Sequence, residues 1–252
     1  MIKKYLHTKG IRNFSIAMVW INGGSSLDAE GKKGINKILL SLLGRGCKGF
    51  ENLEFSDYIY SHGAELNLET LEDGMLISLK SLNEHFNKLF PLLDLIINKP
   101  FLLETQFQNV KKNTINALKK EKENPFNITY EKWIKLVYSN HSYAYNPLGY
   151  EDDILNINHD DILSEYETFK NRNKYLISNN KIICRKSVEL FNKNNYENKS
   201  NSIKQKYNDL NRYASTHRES NQIILIIGNQ TCSIFDPEYL PLKVLESHLS
   251  YG

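Results

Sequence analysis

Gly34-Ile-Asn-Lys-Ile-Leu-Leu-Ser-Leu-Leu-Gly-Arg-Gly46 is the stretch on which the reading of this 252-residue chain turns. Ile35, Ile38, Leu39, Leu42 and Leu43 recur at i, i+3, i+4, i+7 and i+8, which is one buried stripe of a helix with about 3.6 residues per turn. Lys37, Leu40 and Ser41 share the neighbouring face, because residues three and four apart stack on a helix. Any chemistry this helix carries depends on those three positions.

Working outward, 14–21 (Phe-Ser-Ile-Ala-Met-Val-Trp-Ile) is a β-rich run that ends at the turn signal Asn22-Gly23-Gly24, so a strand is expected. Beyond the helix, 52–62 places Leu53, Phe55, Tyr58 and Ile59 on one side with Gly63 as a C′ residue, a second helix. Residues 64–73 and 75–80 alternate in polarity and predict an antiparallel pair turning at Glu72-Asp73-Gly74. Residues 84–98 read as a helix with Phe86, Leu89, Phe90, Leu93 and Ile97 in register, in which Pro91 is tolerated or makes a kink. The longest helix is expected over 104–123, with Phe107, Val110, Thr114, Ala117 and Leu118 inward and Lys111, Lys112, Lys119, Lys120 and Lys122 outward. Glu121 and Glu123 interrupt that lysine run, which therefore reads as a solvated face. Helices follow over 125–138 and 159–172, the second capped by Asn158 and favoured by acidic residues at 160 and 161, then a strand over 175–184.

The polar, Asn- and Lys-rich segment 192–220 reads as an inter-domain linker. A strand over 222–227 and a helix over 241–249 then restart the strand, loop, helix order of 14–46. An internal repeat with a period of roughly 200 residues is thus expected, its second copy ending after one helix. The expected division is 1–191, a linker 192–220, and 221–252 as the start of a second, truncated domain.

The hydrophobic content of 40% suffices for a sizeable core, and 32 Lys and Arg against 29 Asp and Glu leave a net charge of +3. That balance makes no case for nucleic acid or for a membrane surface. Cys47, Cys184 and Cys232 are odd in number and widely spaced, as in reduced thiols of a cytoplasmic protein. No apolar run reaches signal-peptide or bilayer length. His62 beside Glu54 and Asp57 reads as a charged helix end, and Cys47, behind a helix C-terminus, as a poor nucleophile.

The 14–21 strand, the Gly-Gly-Ser-Ser turn, the Gly34 helix, Gly63-Ala64-Glu65-Leu66-Asn67-Leu68-Glu69-Thr70 and the long helix ending at Asn124-Pro125 together resemble the N-terminal domain of the insulinase-like (M16) zinc peptidases. Asp236-Pro237-Glu238-Tyr239 and the helix after it look like the start of a second such domain. The resemblance implies an α/β (α+β) sandwich of the M16/LuxS-like metallohydrolase type, a mixed, largely antiparallel sheet with helices on one face. Active members carry H-x-x-E-H on the Gly34 helix and a further glutamate on the long helix: two imidazoles and a carboxylate hold zinc, and the motif glutamate activates its water. On this chain the histidine positions correspond to Lys37 and Ser41, the base to Leu40 and the third ligand to Ala117. An ammonium has no lone pair to give, and Leu and Ala have no donor at all.

The resemblance therefore implies a non-catalytic subunit without a metal cofactor, paired in a heterodimer with an active homologue; in such pairs the inactive subunit can supply second-domain residues to the shared site, and none can be named from this sequence. Asn67, Thr70 and Asp73 match positions of the family's substrate-side strand, where extended peptides add as a further strand; the alternative, that they only hold the strand pair together, stays open. Two other functions remain in view: an active zinc metalloendopeptidase, in which case zinc is expected, and a stand-alone peptide-binding or scaffold protein.

Overall fold

A computed structural model describes residues 3–6, 13–139, 141–180, 213–217 and 222–251. The chain divides into two compact units, Met1–Asn124 with Tyr145–Ser202, and Pro125–Ala144 with Ile203–Gly252. The first unit is built on a five-stranded sheet of order β1-β5-β2-β4-β3, where β1 is Lys3–Leu6, β2 Phe14–Asn22, β3 Glu65–Thr70, β4 Gly74–Leu82 and β5 Lys174–Ser178. Only β1 and β5 run parallel; every other neighbouring pair is antiparallel.

Strand alternation decides where the core lies. On β2 the odd positions Ser15, Ala17, Val19 and Ile21 are buried, and across the register β4 adds Met75, Ile77 and Leu79. Helix α3, Asn83–Asn98, packs against β2 and β4 and closes this face with Phe86, Leu89, Leu93, Ile96 and Ile97; it runs unbroken through Pro91. Helix α1, Ile35–Leu43, lies against β3, against α4 (Glu104–Glu123) and against α7 (His159–Lys170). All five residues of its expected stripe are buried. Helix α2, Asn52–Ser61, ends at Gly63 with φ 57, as a C′ glycine requires. The even positions Ile16, Met18, Trp20 and Leu76 make up the opposite, half-buried face.

Several expectations are corrected. Leu53 is 76% exposed; Phe55 and Ile59, four apart, carry the contact of α2 instead. Ala117 is exposed, because Phe107, Val110, Thr114 and Leu118 form the inward stripe of α4 and the short methyl group lies at its margin. Lys111 does not point to bulk water: its ammonium donates to the carbonyls of Leu155 and Ile157, ending α6, Glu151–Asn156, a helix with no expectation attached to it. Nor was β1 expected. Over 222–227 the structure has no strand where one is expected; Ile223, Leu225 and Ile227 are exposed and none of the described strands lies beside them. The last helix, α8, runs Tyr239–Tyr251. Residues 181–184 of the expected strand, with Cys184, and most of the expected linker 192–220 lie outside the described residues.

In the second unit α5, Pro125–Val137, lines up Phe126, Tyr130 and Trp133, and the following chain returns along it: Gln230 donates to the carbonyl of Val137 at 2.6 Å. No helix among the described residues is long and apolar enough to cross a membrane.

Candidate functional site

The approach to α1 is held by a buried polar cluster. Gly34 caps the helix with φ 98, and a side chain there would meet Ile154 and the Leu148 carbonyl at 2.6 Å. Having no side chain, Gly34 cannot cap its own helix, and the carboxylate of Asp28 does so from a distance. It accepts from Gly34 N at 2.7 Å, Asn36 N at 3.3 Å and Asn36 Nδ2 at 2.6 Å. Asn36 is fully buried, and its Oδ1 takes Nη1 of Arg172 at 2.8 Å; Arg172 also donates to the Gly23 carbonyl and pairs with Glu165. Loop, helix and the start of β5 are thereby locked together.

Burial pushes the Asp28 carboxyl up to about 6, outweighing the three hydrogen bonds that favour its ionised form. Between the usual value of 3.8 and about 6 the native state holds a proton that the unfolded chain has lost. The stabilising contribution is complete below 3.8 and is lost as pH rises through about 6. Relative to Asp28→Asn, the wild type should therefore lose about 3 kcal/mol of stability from pH 3.5 to pH 7, as read from urea midpoints. A difference that stays flat with pH would remove this assignment.

On α1 the Ser41 hydroxyl donates to the Lys37 carbonyl at 2.8 Å, one turn back, so it is spent on its own helix. Lys37 and Ser41 are half-buried, whereas Leu40 is 1% exposed and belongs to the hydrophobic core. Ala117 is carried on the helix that packs against α1. An ammonium, an isobutyl group, a hydroxyl already engaged and a methyl group are not a zinc ligand set. Among the described residues no three His, Cys, Asp or Glu side chains are grouped to hold a metal ion, His62 with Glu54 and Asp57 included. Burial lifts the Cys47 thiol to about 11, which makes it an inert sulfur.

Strand β3 is one of the two edges of the sheet among the described residues, β1 being the other. Leu66 and Leu68 face the core, while Glu65, Asn67 and Glu69 are exposed on the other face. The candidate residues of this strand do not converge. Asn67 points to the open face, Thr70 is buried on the helix side, and Asp73 lies in the β3–β4 turn with its carbonyl accepting from Gly23 N at 2.8 Å. Ser25 N and Ser26 N likewise donate to Leu71 O and Glu72 O, so this turn clamps the loop that leads into α1. The Thr70 hydroxyl is buried without a hydrogen-bond partner among the described residues. Thr70→Val should accordingly stabilise the protein by about 1 kcal/mol in chemical unfolding, and destabilisation would mean that the hydroxyl has a partner.

The signal for the Asp28 cluster was weak but present in the sequence. Asp28 precedes a helix that starts on a glycine, and Asn36 is a polar residue one step from an apolar stripe. Nothing local pointed to Arg172.

Residues 6–149 match the family described as insulinase, peptidase family M16. A Bacillus subtilis protein described as an uncharacterized zinc protease, YmxG, is 25% identical over 188 residues, covering 71% of this chain and 46% of that protein. A Helicobacter pylori protein described as a non-peptidase homolog, YmxG, is 24% identical over 156 residues, covering 62% of this chain and 36% of its own. This chain thus spans less than half the length of either. Among solved structures, a protease from Helicobacter pylori superposes with TM-score 0.68 at 20% identity, over 78% of this chain and 48% of its own. A peptidase M16 inactive domain from Pseudomonas fluorescens gives 0.64 at 16%, over 75% and 47%.

Proposed function

This chain belongs to the insulinase family, peptidase family M16, and from that premise we propose that it is a catalytically degenerate member which binds extended peptides and works beside an active homologue in the cytoplasm. The observation that carries the reading is Leu40. The position corresponding to the family's catalytic carboxylate holds an aliphatic side chain sealed in the hydrophobic core. A base must be solvated enough to exchange a proton with water and substrate, and a fully buried leucine offers neither a lone pair nor access. Lys37, Ser41 and Ala117, at the positions corresponding to the ligands, add no donor for zinc.

The non-peptidase and inactive-domain descriptions of two relatives agree with this reading. What remains usable is the sheet edge: β3 offers backbone groups to an added strand, a mode of binding that needs no catalytic side chain. Pairing with an active homologue supplies the peptide chemistry this chain lacks.

The test is metal analysis of protein purified without added metal, together with a peptidase assay. The expected result is no stoichiometric metal and no chelator-sensitive cleavage. Because the Bacillus subtilis relative is described as a zinc protease, the second reading is an active zinc metalloendopeptidase; one equivalent of zinc whose removal by chelation abolishes cleavage would establish it. Isolation from its own cell extract separates the heterodimer from a free-standing scaffold: co-purification of an M16 protein with an intact H-x-x-E-H supports the pair, and recovery alone supports the scaffold.

A further inference from the structure

Resting on the peptide-binding reading above, we propose that β3 selects extended peptides bearing basic side chains four residues apart, with Glu65 and Glu69 as the specificity-determining residues. β3 pairs with β4 on one side only, Glu65 opposite Lys80 through Thr70 opposite Met75, and its other side is open among the described residues. A strand added there meets β3 residue by residue, with directly opposed Cβ atoms about 5 Å apart on alternating faces.

On the open face the incoming side chains lie against Glu65, Asn67 and Glu69, all exposed; on the helix side they lie against Leu66 and Leu68, half-buried beside the core. The complementary peptide therefore reads basic, apolar, polar, apolar, basic. Charge favours it in both positions. Glu65 reaches Lys80 only at 3.8 Å, with both side chains largely solvated, and Glu69 makes no ion pair among the described residues. Glu72 and Asp73, immediately beyond the strand, add to the negative potential at that end of the edge.

The same pattern argues against a second copy of this chain as the occupant. Two β3 strands paired antiparallel about Asn67 would set Glu65 against Glu69 twice, and like charges directly opposed weaken such a ladder.

The experiment is fluorescence anisotropy of the intact protein with three dye-labelled peptides in Ser-Gly flanks, containing Lys-Val-Thr-Val-Lys, Gln-Val-Thr-Val-Gln or Glu-Val-Thr-Val-Glu. The lysine peptide is expected to bind roughly fivefold to tenfold tighter than the glutamine peptide at low ionic strength, the preference shrinking as salt is added. The Glu65→Lys, Glu69→Lys double variant, changed only at exposed positions, should reverse the order in favour of the glutamate peptide. Equal binding of the lysine and glutamine peptides would overturn the proposal while leaving β3 as a peptide-binding edge. If none of the three binds, the peptide-binding reading itself fails and the proposal falls with it.

Discussion

Leu40→Glu is expected to destabilise the protein by about 5 kcal/mol, enough to lower the thermal midpoint by roughly 10–20 °C for a chain of this size. The lost burial of an isobutyl group accounts for about 2–3 kcal/mol. Placing a carboxyl at a position 1% exposed, between Ile38, Leu39, Leu42 and Leu43 and the core beneath them, adds the cost of holding it protonated or unpaired. Lys37→His and Ser41→His, at half-buried positions, should each stay within about 1 kcal/mol of wild type. Rebuilding the whole motif, Lys37→His, Leu40→Glu, Ser41→His and Ala117→Glu, is therefore expected to yield an unstable protein rather than a peptidase. On the degenerate reading proposed above, the core fills the place where a catalytic carboxylate would need an opening. Urea unfolding of the four single variants checks this, and a Leu40→Glu variant as stable as wild type would take away the structural support for a lost activity.

Arg172→Met should cost about 3–5 kcal/mol through a different mechanism. Arg172 is 6% exposed and joins Glu165 on α7 to Asn36 on α1 and the carbonyl of Gly23. A methionine fills most of the volume but leaves a carboxylate, an amide oxygen and a backbone carbonyl without their donor. Removing both charges, with Glu165→Leu added, should recover a substantial part of the loss, because the larger share is the penalty on the abandoned partner rather than the worth of the pair. Strictly additive effects in the double variant would mean that the two residues do not act together. Because α1 and the β3–β4 turn both depend on the loop that this arginine holds, the peptide binding proposed for β3 should weaken in parallel with stability.

Much of this architecture was legible because it is local. The stripe of α1 is complete in its own sequence, the β3–β4 pair announces itself through alternation and the Glu72-Asp73-Gly74 turn, and Asn158 with Asp161 forms the capping box that opens α7. What could not be read depends on partners far away in sequence. Lys-Lys-Tyr-Leu becomes a strand only because β5 lies beside it. The alternation of 222–227 has the signature of a strand, but a strand forms only with a partner, and none of the described strands adjoins it. The same applies to the site. The residue types at Lys37, Leu40, Ser41 and Ala117 were visible directly, whereas the burial of Leu40 and the exposure of Ala117 are products of packing. Asn67, Thr70 and Asp73 match motif positions of the family's substrate-side strand, yet pleating sends the first two to opposite faces, which a motif match does not reveal.

The order β1-β5-β2-β4-β3 also governs how this protein is made. β5, which fills the slot between β1 and β2, is the last strand of the sheet to leave the ribosome. Until residue 178 has emerged, β2 presents one unpaired side along Phe-Ser-Ile-Ala-Met-Val-Trp-Ile-Asn, an apolar strand with no charge to protect it. Synthesis at about 5–20 residues per second keeps that side open for roughly 10–30 s after β2 itself has appeared. A nascent chain stalled before Lys174 should therefore pass to chaperones or aggregate, while one extended past Ser178 should become protease-resistant in a single step. Insertion of β5 between β1 and β2 is accordingly expected to make folding of the first unit a late step.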